Sequence, residues 1–547
     1  MAISLPTVGI LCALFVFVHF VSKSRRRSLK FIRGPPSSSW LFGNQYDLLH
    51  QFQVGKHEDP WFKEYGTVFK SHGSFGEELL NIADPRALQH ILHASSYHYP
   101  KSEDIRKATR RIFGRAIVWA EGSTHSRHRK ALNPAFSASQ LRTFLSLFQR
   151  STQRLCDKWQ SEYFSSSPQG EQTINMAVWL PRLTLDVIGE SAFDFKFNAL
   201  DSEDNVLASI LRHLFDDTTG GTKRSLFFNA LRSKLPWDPT FHNPFNPDTP
   251  VLITKQDRRF NSWLEASKNA GRDILKQKSE SGNSGVEEGS KDILSVLVRS
   301  NKLSEPGKGL DDEEVLSQIA TIILAGHETT ASSMIWILYE LARHPDDQAH
   351  VREELEEARK RKRESGEEAF SANDYDSMPF FNAVIKEGLR LYPIVISLFR
   401  CPDKDDVLPL AEPIISASGE KLNEVPVSKG QRIVVNIPNY NRLKSVWGPD
   451  ADIWNPSRFS DIKPSTTLGV YANLMNFSAG IRGCIGWRFA LLEMQALLAG
   501  LLSTYEFSID PKLDVYRAQI GTMVPVIRGQ EEKRMQMPLK VKLISRV

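Results

Sequence analysis

The chain opens on an apolar run: no charged residue lies between Ile3 and Val21, and Val8 to Val21 is nearly all apolar. Lys23, Arg25, Arg26, Arg27 and Lys30 come directly after it. A bilayer-spanning helix needs roughly 20 mainly apolar residues, and positive charge behind such a run keeps the remainder of the chain on the cytoplasmic side. A cleaved leader carries its charge ahead of the apolar stretch and small residues after it; here the charge comes second. The pattern predicts an uncleaved single-pass anchor over residues 1–30, with a short N-terminus across the membrane.

Gly34-Pro35-Pro36 and Ser37-Ser38-Ser39 come next. Adjacent prolines lock an extended segment and forbid helix, so residues 31–40 read as a stiff hinge ahead of a body over 41–547. Short strand-like runs appear at Thr67-Val68-Phe69-Lys70 and Leu79-Leu80-Asn81-Ile82, and helical spacing begins after Asp84-Pro85, where Ala87, Leu88, His90, Ile91 and Leu92 share a face. From about 140 to 350 apolar residues recur at helical spacing, with polar breaks at Asp216 to Arg224 and Lys278 to Lys291. Pro236 to Pro250 holds too many prolines for one helix. Short strands are predicted between Ile394 and Ile437 and from Gly521 to the end. The fold class these elements imply is mainly α with small β-sheets (α+β), without internal repeats or a further linker.

Composition narrows this only slightly. Of 547 residues, 41% are hydrophobic and 24% charged, as in folded globular chains. A net charge of +5 gives no reason to invoke nucleic acid. The four cysteines, Cys12, Cys156, Cys401 and Cys484, are far apart and form no CxxC pair, which disfavours zinc and disulfide frameworks.

Chemistry concentrates near the C-terminus, in Asn476-Phe477-Ser478-Ala479-Gly480-Ile481-Arg482-Gly483-Cys484-Ile485-Gly486. A helical pattern starts directly after it, so the cysteine faces a helix N-terminus, whose dipole and N–H groups favour a thiolate. With an arginine two residues earlier for an acidic group, the loop suits an axial ligand to haem iron; a buried structural cysteine is the rival reading. Ala325-Gly326-His327-Glu328-Thr329-Thr330 lies within the helical run Val315 to Leu341. Either its threonines bond back to earlier carbonyls of a bent core helix, or the acid and alcohol in a locally opened helix deliver protons. Glu387 and Arg390 stand three apart on one helical face, with Arg458 of Pro456-Ser457-Arg458-Phe459 as a possible third partner. The basic stretch Glu121 to Lys130 gains meaning only beside an anionic cofactor.

Ala325-Gly326-x-Glu328-Thr329, Glu387-x-x-Arg390, Pro456-x-Arg458-Phe459 and Phe477-x-x-Gly480-x-Arg482-x-Cys484-x-Gly486 occur in this order. From the anchor to the last strands the chain resembles the cytochrome P450 family of haem-thiolate monooxygenases, in its microsomal, membrane-anchored form. The resemblance implies haem b (iron protoporphyrin IX) as cofactor and Cys484 as proximal iron ligand. It implies that Arg482, Arg400 and Arg129 meet the haem propionates, and that Phe477 covers the thiolate while Gly480 and Gly486 hold the loop against the porphyrin. His125 stands where the family commonly has a tryptophan, and a histidine can still donate to a propionate. Glu328 and Thr329 become the catalytic proton-handling pair, and Glu387, Arg390 and Arg458 a bracing network behind the cysteine loop.

The reaction so implied inserts one atom of O2 into a lipophilic small molecule by hydroxylation or epoxidation, in specialised metabolism or xenobiotic oxidation. No flavin or dinucleotide fingerprint stands out, so electrons would come from a separate NADPH-dependent flavoprotein reductase, with the protein in the endoplasmic reticulum membrane and its catalytic domain cytoplasmic. Substrate choice would rest on His98 to Trp119, Leu207 to Pro250, Ile319 to Thr329, Ile394 to Phe399 and Gly521 to Val526. A reductase-independent haem-thiolate isomerase or dehydratase and a non-catalytic membrane haem-binding protein are the alternatives. The Glu328–Thr329 pair weighs against both.

Overall fold

The computed structural model describes residues 29–544 apart from 167–169, 203–204, 218–221, 235–239, 241–250, 252–253, 281–291, 303–308 and 462–466. The expected anchor falls on residues 1–28 and so lies outside the described residues, as does most of the proline-rich stretch 236–250. Among the described residues no helix is long and apolar enough to cross a membrane.

Nine of the longer helices frame the molecule: α1 (Glu103–Phe113), α2 (Gly122–Leu132), α3 (Leu145–Trp159), α4 (Met176–Phe193), α5 (Lys255–Glu280), α6 (Asp312–Arg343), α7 (Pro345–Glu364), α8 (Pro379–Leu391) and α9 (Trp487–Thr504). The strands are β1 (Val68–His72), β2 (Glu78–Ile82), β3 (Glu171–Asn175), β4 (Ser397–Arg400), β5 (Asp406–Ile415), β6 (Lys421–Val427), β7 (Arg432–Asn436), β8 (Tyr505–Ser508), β9 (Val515–Ile520), β10 (Thr522–Ile527) and β11 (Pro538–Leu543). They form a four-stranded sheet in the order β1-β2-β7-β4, a three-stranded sheet β3-β11-β8, and two hairpins, β5-β6 and β9-β10. The mainly helical class with small sheets stands. Two strands, β8 and β9, precede the point at which strands were expected to return.

Helix α6 is the spine. Asp311 caps it, accepting from the Glu314 N–H at 2.8 Å, while the Glu314 side chain accepts from the Asp311 N–H at 3.1 Å. This reciprocal pair satisfies two donors that a helix start otherwise leaves open. Glu314 is also gripped by Arg127 of α2, with both guanidinium nitrogens at 2.7 Å. Nearly every residue from Glu314 to Ala342 is buried, because helices pack on it from several sides. A Cβ on Gly326 would lie 2.4 Å from Ile188 of α4, and one on Gly388 of α8 would lie 2.4 Å from Ile337. These glycines let helix axes approach closely. Of the two readings of Gly326 to Thr330, the locally opened helix is absent: α6 is α-helical from Asp312 to Arg343.

The segment 31–40 also departs from expectation. It lies against the sheet, with the Lys70 N–H donating to the Arg33 carbonyl at 3.0 Å and the Asn44 side chain to the Pro36 carbonyl at 2.8 Å. A Cβ on Gly34 would meet the Lys70 carbonyl oxygen at 1.9 Å. Leu29 and Ile32 are buried. The prolines fit because an extended chain along a sheet edge needs no helical N–H.

Candidate functional site

Cys484 comes just after a single 3-10 turn, Gly480–Arg482, and precedes α9, whose N-cap is Gly486. Its own N–H donates to the Phe477 carbonyl at 2.8 Å, which closes the loop. Gly480 has φ +61°, and a Cβ there would sit 1.8 Å from the Leu92 carbonyl oxygen. The neighbouring turn His90–Ala94 therefore requires this glycine, a reason separate from the expected approach to a porphyrin. At Gly486 a Cβ would make only ordinary contact with Phe136, at 3.7 Å.

The cysteine is exposed, yet burial pushes its thiol pKa up, while the Gly486 N–H and the Arg129 guanidinium pull it down. A side chain that a water molecule can touch but that protein surrounds lines an internal cavity. Ala325 tells the same story from the opposite element: it is the one exposed position between Glu313 and Ala342 on an otherwise core helix.

Around the loop, cations outnumber anions. Arg129 Nη1 donates to the Gly483 carbonyl at 2.6 Å. Arg400, at the end of β4 where it pairs with Ile433 of β7, donates Nη1 to the Phe399 carbonyl at 2.8 Å. Arg400 makes no ion pair among the described residues, and its pKa is lowered to about 10 by burial and then by Arg482. Arg482 donates to the Ser96 carbonyl and to Glu121. Lys101 Nζ donates to Glu121 Oε1 at 2.7 Å, and burial leads the lowering of its pKa to about 8. His125, buried, shares a hydrogen bond with the Tyr97 hydroxyl at 3.2 Å. Burial, with Arg482 and Lys101 nearby, lowers its pKa to about 4, so it is neutral near pH 7. Among the described residues, Lys101, Arg129, Arg400 and Arg482 thus face one carboxylate, Glu121. A partly buried surplus of cations is costly unless an anion arrives. The two propionates of a haem fit that surplus, and the exposed thiol fits its iron. Lys101, Tyr97 and the ion pairing of Glu121 escaped sequence reasoning, although Glu121 opened the basic stretch singled out there.

On α6 the threonine hydroxyls bond back to carbonyls one turn earlier, Thr329 to Ala325 at 2.8 Å and Thr330 to Gly326 at 3.2 Å. Glu328 does not meet Thr329. Its Oε1 accepts from Thr522 Oγ1 of β10 at 2.9 Å, and burial raises its pKa to about 7 despite that bond. Thr522 was missed because 194 residues separate it from Glu328.

Behind the loop, Arg390 grips Glu387 through Nε at 2.7 Å and Nη2 at 2.8 Å. The Asn455 N–H and Arg458 Nε reach Glu387 Oε1 at 2.9 and 3.5 Å. Arg458 is itself held by Asp450, at 2.6 and 2.9 Å. The expected three-residue network is present, with Asp450 as a fourth member. A separate groove of about 790 Å3 between α1, the helix Lys223–Lys234 and α5 contains none of these site residues.

A family model described as Cytochrome P450 matches residues 33–532. Among curated proteins, cytochrome P450 monooxygenase 128 of Postia placenta is 35% identical over 523 residues, covering 94% of this chain and 92% of the relative. Cytochrome P450 monooxygenase 81 of the same organism is 32% identical over 563 residues, covering 99% and 98%. Cytochrome P450 monooxygenase claQ of Ampulloclitocybe clavipes is 29% identical over 551 residues, covering 97% of each chain.

Proposed function

The chain belongs to the cytochrome P450 family and is a monooxygenase with haem as cofactor, and on that premise we propose that it inserts one oxygen atom of O2 into a lipophilic small molecule. Electrons come from a separate NADPH-dependent flavoprotein reductase. When bound, the haem supplies O2 reduction and the oxidising equivalent that attacks the substrate.

Cys484 holds the iron. As an iron ligand the sulfur would be a thiolate, which the Gly486 N–H and the Arg129 guanidinium would favour against burial. Arg129, Arg400 and Arg482 receive the propionates, and neutral His125 orients beside them through Tyr97. Phe477 fixes the loop through its carbonyl. Glu387, Arg390 and Arg458 brace the chain behind it. On the distal side Thr329 keeps its own proton on the Ala325 carbonyl, so its oxygen lone pairs remain to accept a hydrogen bond from water or a protonated group in the cavity. Glu328, near half-protonation at neutral pH, both gives and takes a proton there without a large energetic penalty. The observation that carries the reading is the exposed thiol of Cys484 beside Arg129, with Arg400 and Arg482 close by and one carboxylate, Glu121, among the described residues to balance them.

The substrate class rests on apolar side chains of the segments around the distal side, Ile319 to Thr329, Ile394 to Phe399 and Gly521 to Val526. The apolar and basic stretch ahead of Leu29 anchors the protein in the endoplasmic reticulum membrane, with the body from Leu29 onward on the cytoplasmic face. Such an anchor brings lipophilic substrates and a membrane-bound reductase to one surface.

The test reconstitutes the full chain with a reductase, NADPH and 18O2, offered a library of lipophilic metabolites. Products carrying one 18O atom, formed only with NADPH, are expected. Conversion of hydroperoxides without NADPH or reductase, and no labelled product, would overturn the reading in favour of an isomerase or dehydratase.

A further inference from the structure

The turn between β9 and β10 makes two different contacts toward the distal side of α6. Gly521 has φ +73°, and a Cβ there would lie 2.4 Å from the Phe215 ring, so this ring rests directly on the turn backbone. Phe215 meets Phe260 of α5 edge-on, with ring centroids 6.0 Å apart. The next residue, Asp216, is tied to Arg534, whose Nη1 lies 3.2 Å from the Asp216 carboxylate and donates to its carbonyl at 2.7 Å. One residue beyond Gly521, Thr522 donates to Glu328 at 2.9 Å. The Met523 N–H then fixes the strand to the Ile394 carbonyl at 2.8 Å.

A carboxyl in a low-dielectric interior turns to the donors within its reach, because an unpaired one is expensive to keep there. Among the described residues Glu328 makes no ion pair, and the Thr522 hydroxyl is the hydrogen-bond donor to its side chain. The neighbouring Thr329 proton is committed to Ala325. At rest, therefore, the acid and the alcohol are each bonded elsewhere.

We propose that Thr522 is a positioning residue for oxygen activation: it parks the Glu328 carboxyl on the β9–β10 turn, and the Phe215–Gly521 contact ties that turn to α5 through Phe260. A lipophilic substrate that displaces the Phe215 ring shifts Gly521, breaks the Thr522 bond and frees Glu328 to swing toward Thr329. Proton delivery is thereby linked to occupancy. The proposal rests on the monooxygenase reading above and adds the residue that times its proton step.

Thr522→Val keeps the side-chain shape and removes the hydroxyl; Thr522→Ser keeps the hydroxyl. The first readout is the infrared carbonyl band of protonated Glu328 in the full-length haem protein, identified by its loss in Glu328→Gln. The band should move in Thr522→Val and stay in Thr522→Ser. Phe215→Ala and Gly521→Ala, which disturb the turn at its contact with the Phe215 ring, should move it in the same direction as Thr522→Val. The second readout is peroxide formed from NADPH, H+ and O2 with the reductase and no added substrate, yielding NADP+ and H2O2. It should rise about fivefold in Thr522→Val, the factor expected for one lost hydrogen bond, and return in Thr522→Ser. A band and peroxide yield that are unchanged in Thr522→Val overturn the proposal, even if oxygenated products form. A moved band without any oxygenated product in the library assay overturns the monooxygenase reading instead.

Discussion

Glu328 shows how one residue answers two demands. Burial holds its pKa near 7, well above the ordinary 4.5, so the folded protein keeps a proton that the unfolded chain releases. Between those two values the native state binds more protons than the unfolded one, and stability therefore falls as pH rises. Below about 4.5 both states are protonated and the penalty vanishes; above about 7 it is complete. A shift of this size corresponds to an upper bound of about 3 kcal/mol. Glu328→Gln should remove that slope. Urea unfolding of wild type and variant at pH 5 and pH 8 is expected to give a wild type that loses about 1–3 kcal/mol more than Glu328→Gln on going to the higher pH. The acid itself was legible in Ala325-Gly326-x-Glu328-Thr329. Its resting partner was not, because a hydrogen bond to Thr522 depends on how two distant elements dock and leaves no periodic trace.

At the scale of elements, the spine helix was readable from its apolar spacing to within three residues at each end, since burial around nearly its whole circumference requires a long run of apolar positions. Of the two readings left open for Gly326 to Thr330, the continuous helix is the one present. Gly326 admits Ile188 and Gly388 admits Ile337, each at a distance that forbids a Cβ; neither opens the helix. Gly388→Ala should cost about 1–3 kcal/mol by overpacking. Ile337→Ala in the same chain removes the clashing methylene, so the double variant should be more stable than the sum of the two single changes predicts. Additive unfolding energies would mean that α8 and α6 do not touch there as described. Strand β8 went unseen for another reason. α9 runs into Tyr505 with no glycine or proline between them, so nothing in the local sequence marks the change from helix to strand. β8 is specified by its pairing with β11, as in Val541 opposite Phe507.

Across the whole molecule, the site is assembled from segments that the chain separates by hundreds of residues. Arg482 meets Glu121 across 361 positions and Arg129 meets Gly483 across 354. The motifs named the participants, while the docking of α2 and of the turn near Ser96 against the cysteine loop decided which of them pair. The brace behind the loop is both buried and shared: Glu387 receives Arg390, Arg458 and the Asn455 N–H at once. Removing its charge leaves the buried Arg390 guanidinium without a carboxylate, whereas Arg458 keeps Asp450, and the loss of a buried pair costs about 3–5 kcal/mol. Glu387→Gln should therefore lower the unfolding midpoint and the fraction of purified protein that retains haem. A variant with full haem content and an unchanged midpoint would remove the brace from haem retention.

All of these parts converge on one sulfur. Cys484 is open to a water-sized molecule from within, lies beside Arg129, and is framed by an arginine surplus. The most direct test is the absorption spectrum of the dithionite-reduced carbonyl complex of the full-length haem protein, compared between wild type and Cys484→Ser. Wild type should give the red-shifted Soret band of a thiolate-ligated haem, and Cys484→Ser should lose it while its far-ultraviolet circular dichroism stays that of the folded protein. A thiolate-type band that survives in a folded Cys484→Ser protein would contradict the assignment of Cys484 as the iron ligand.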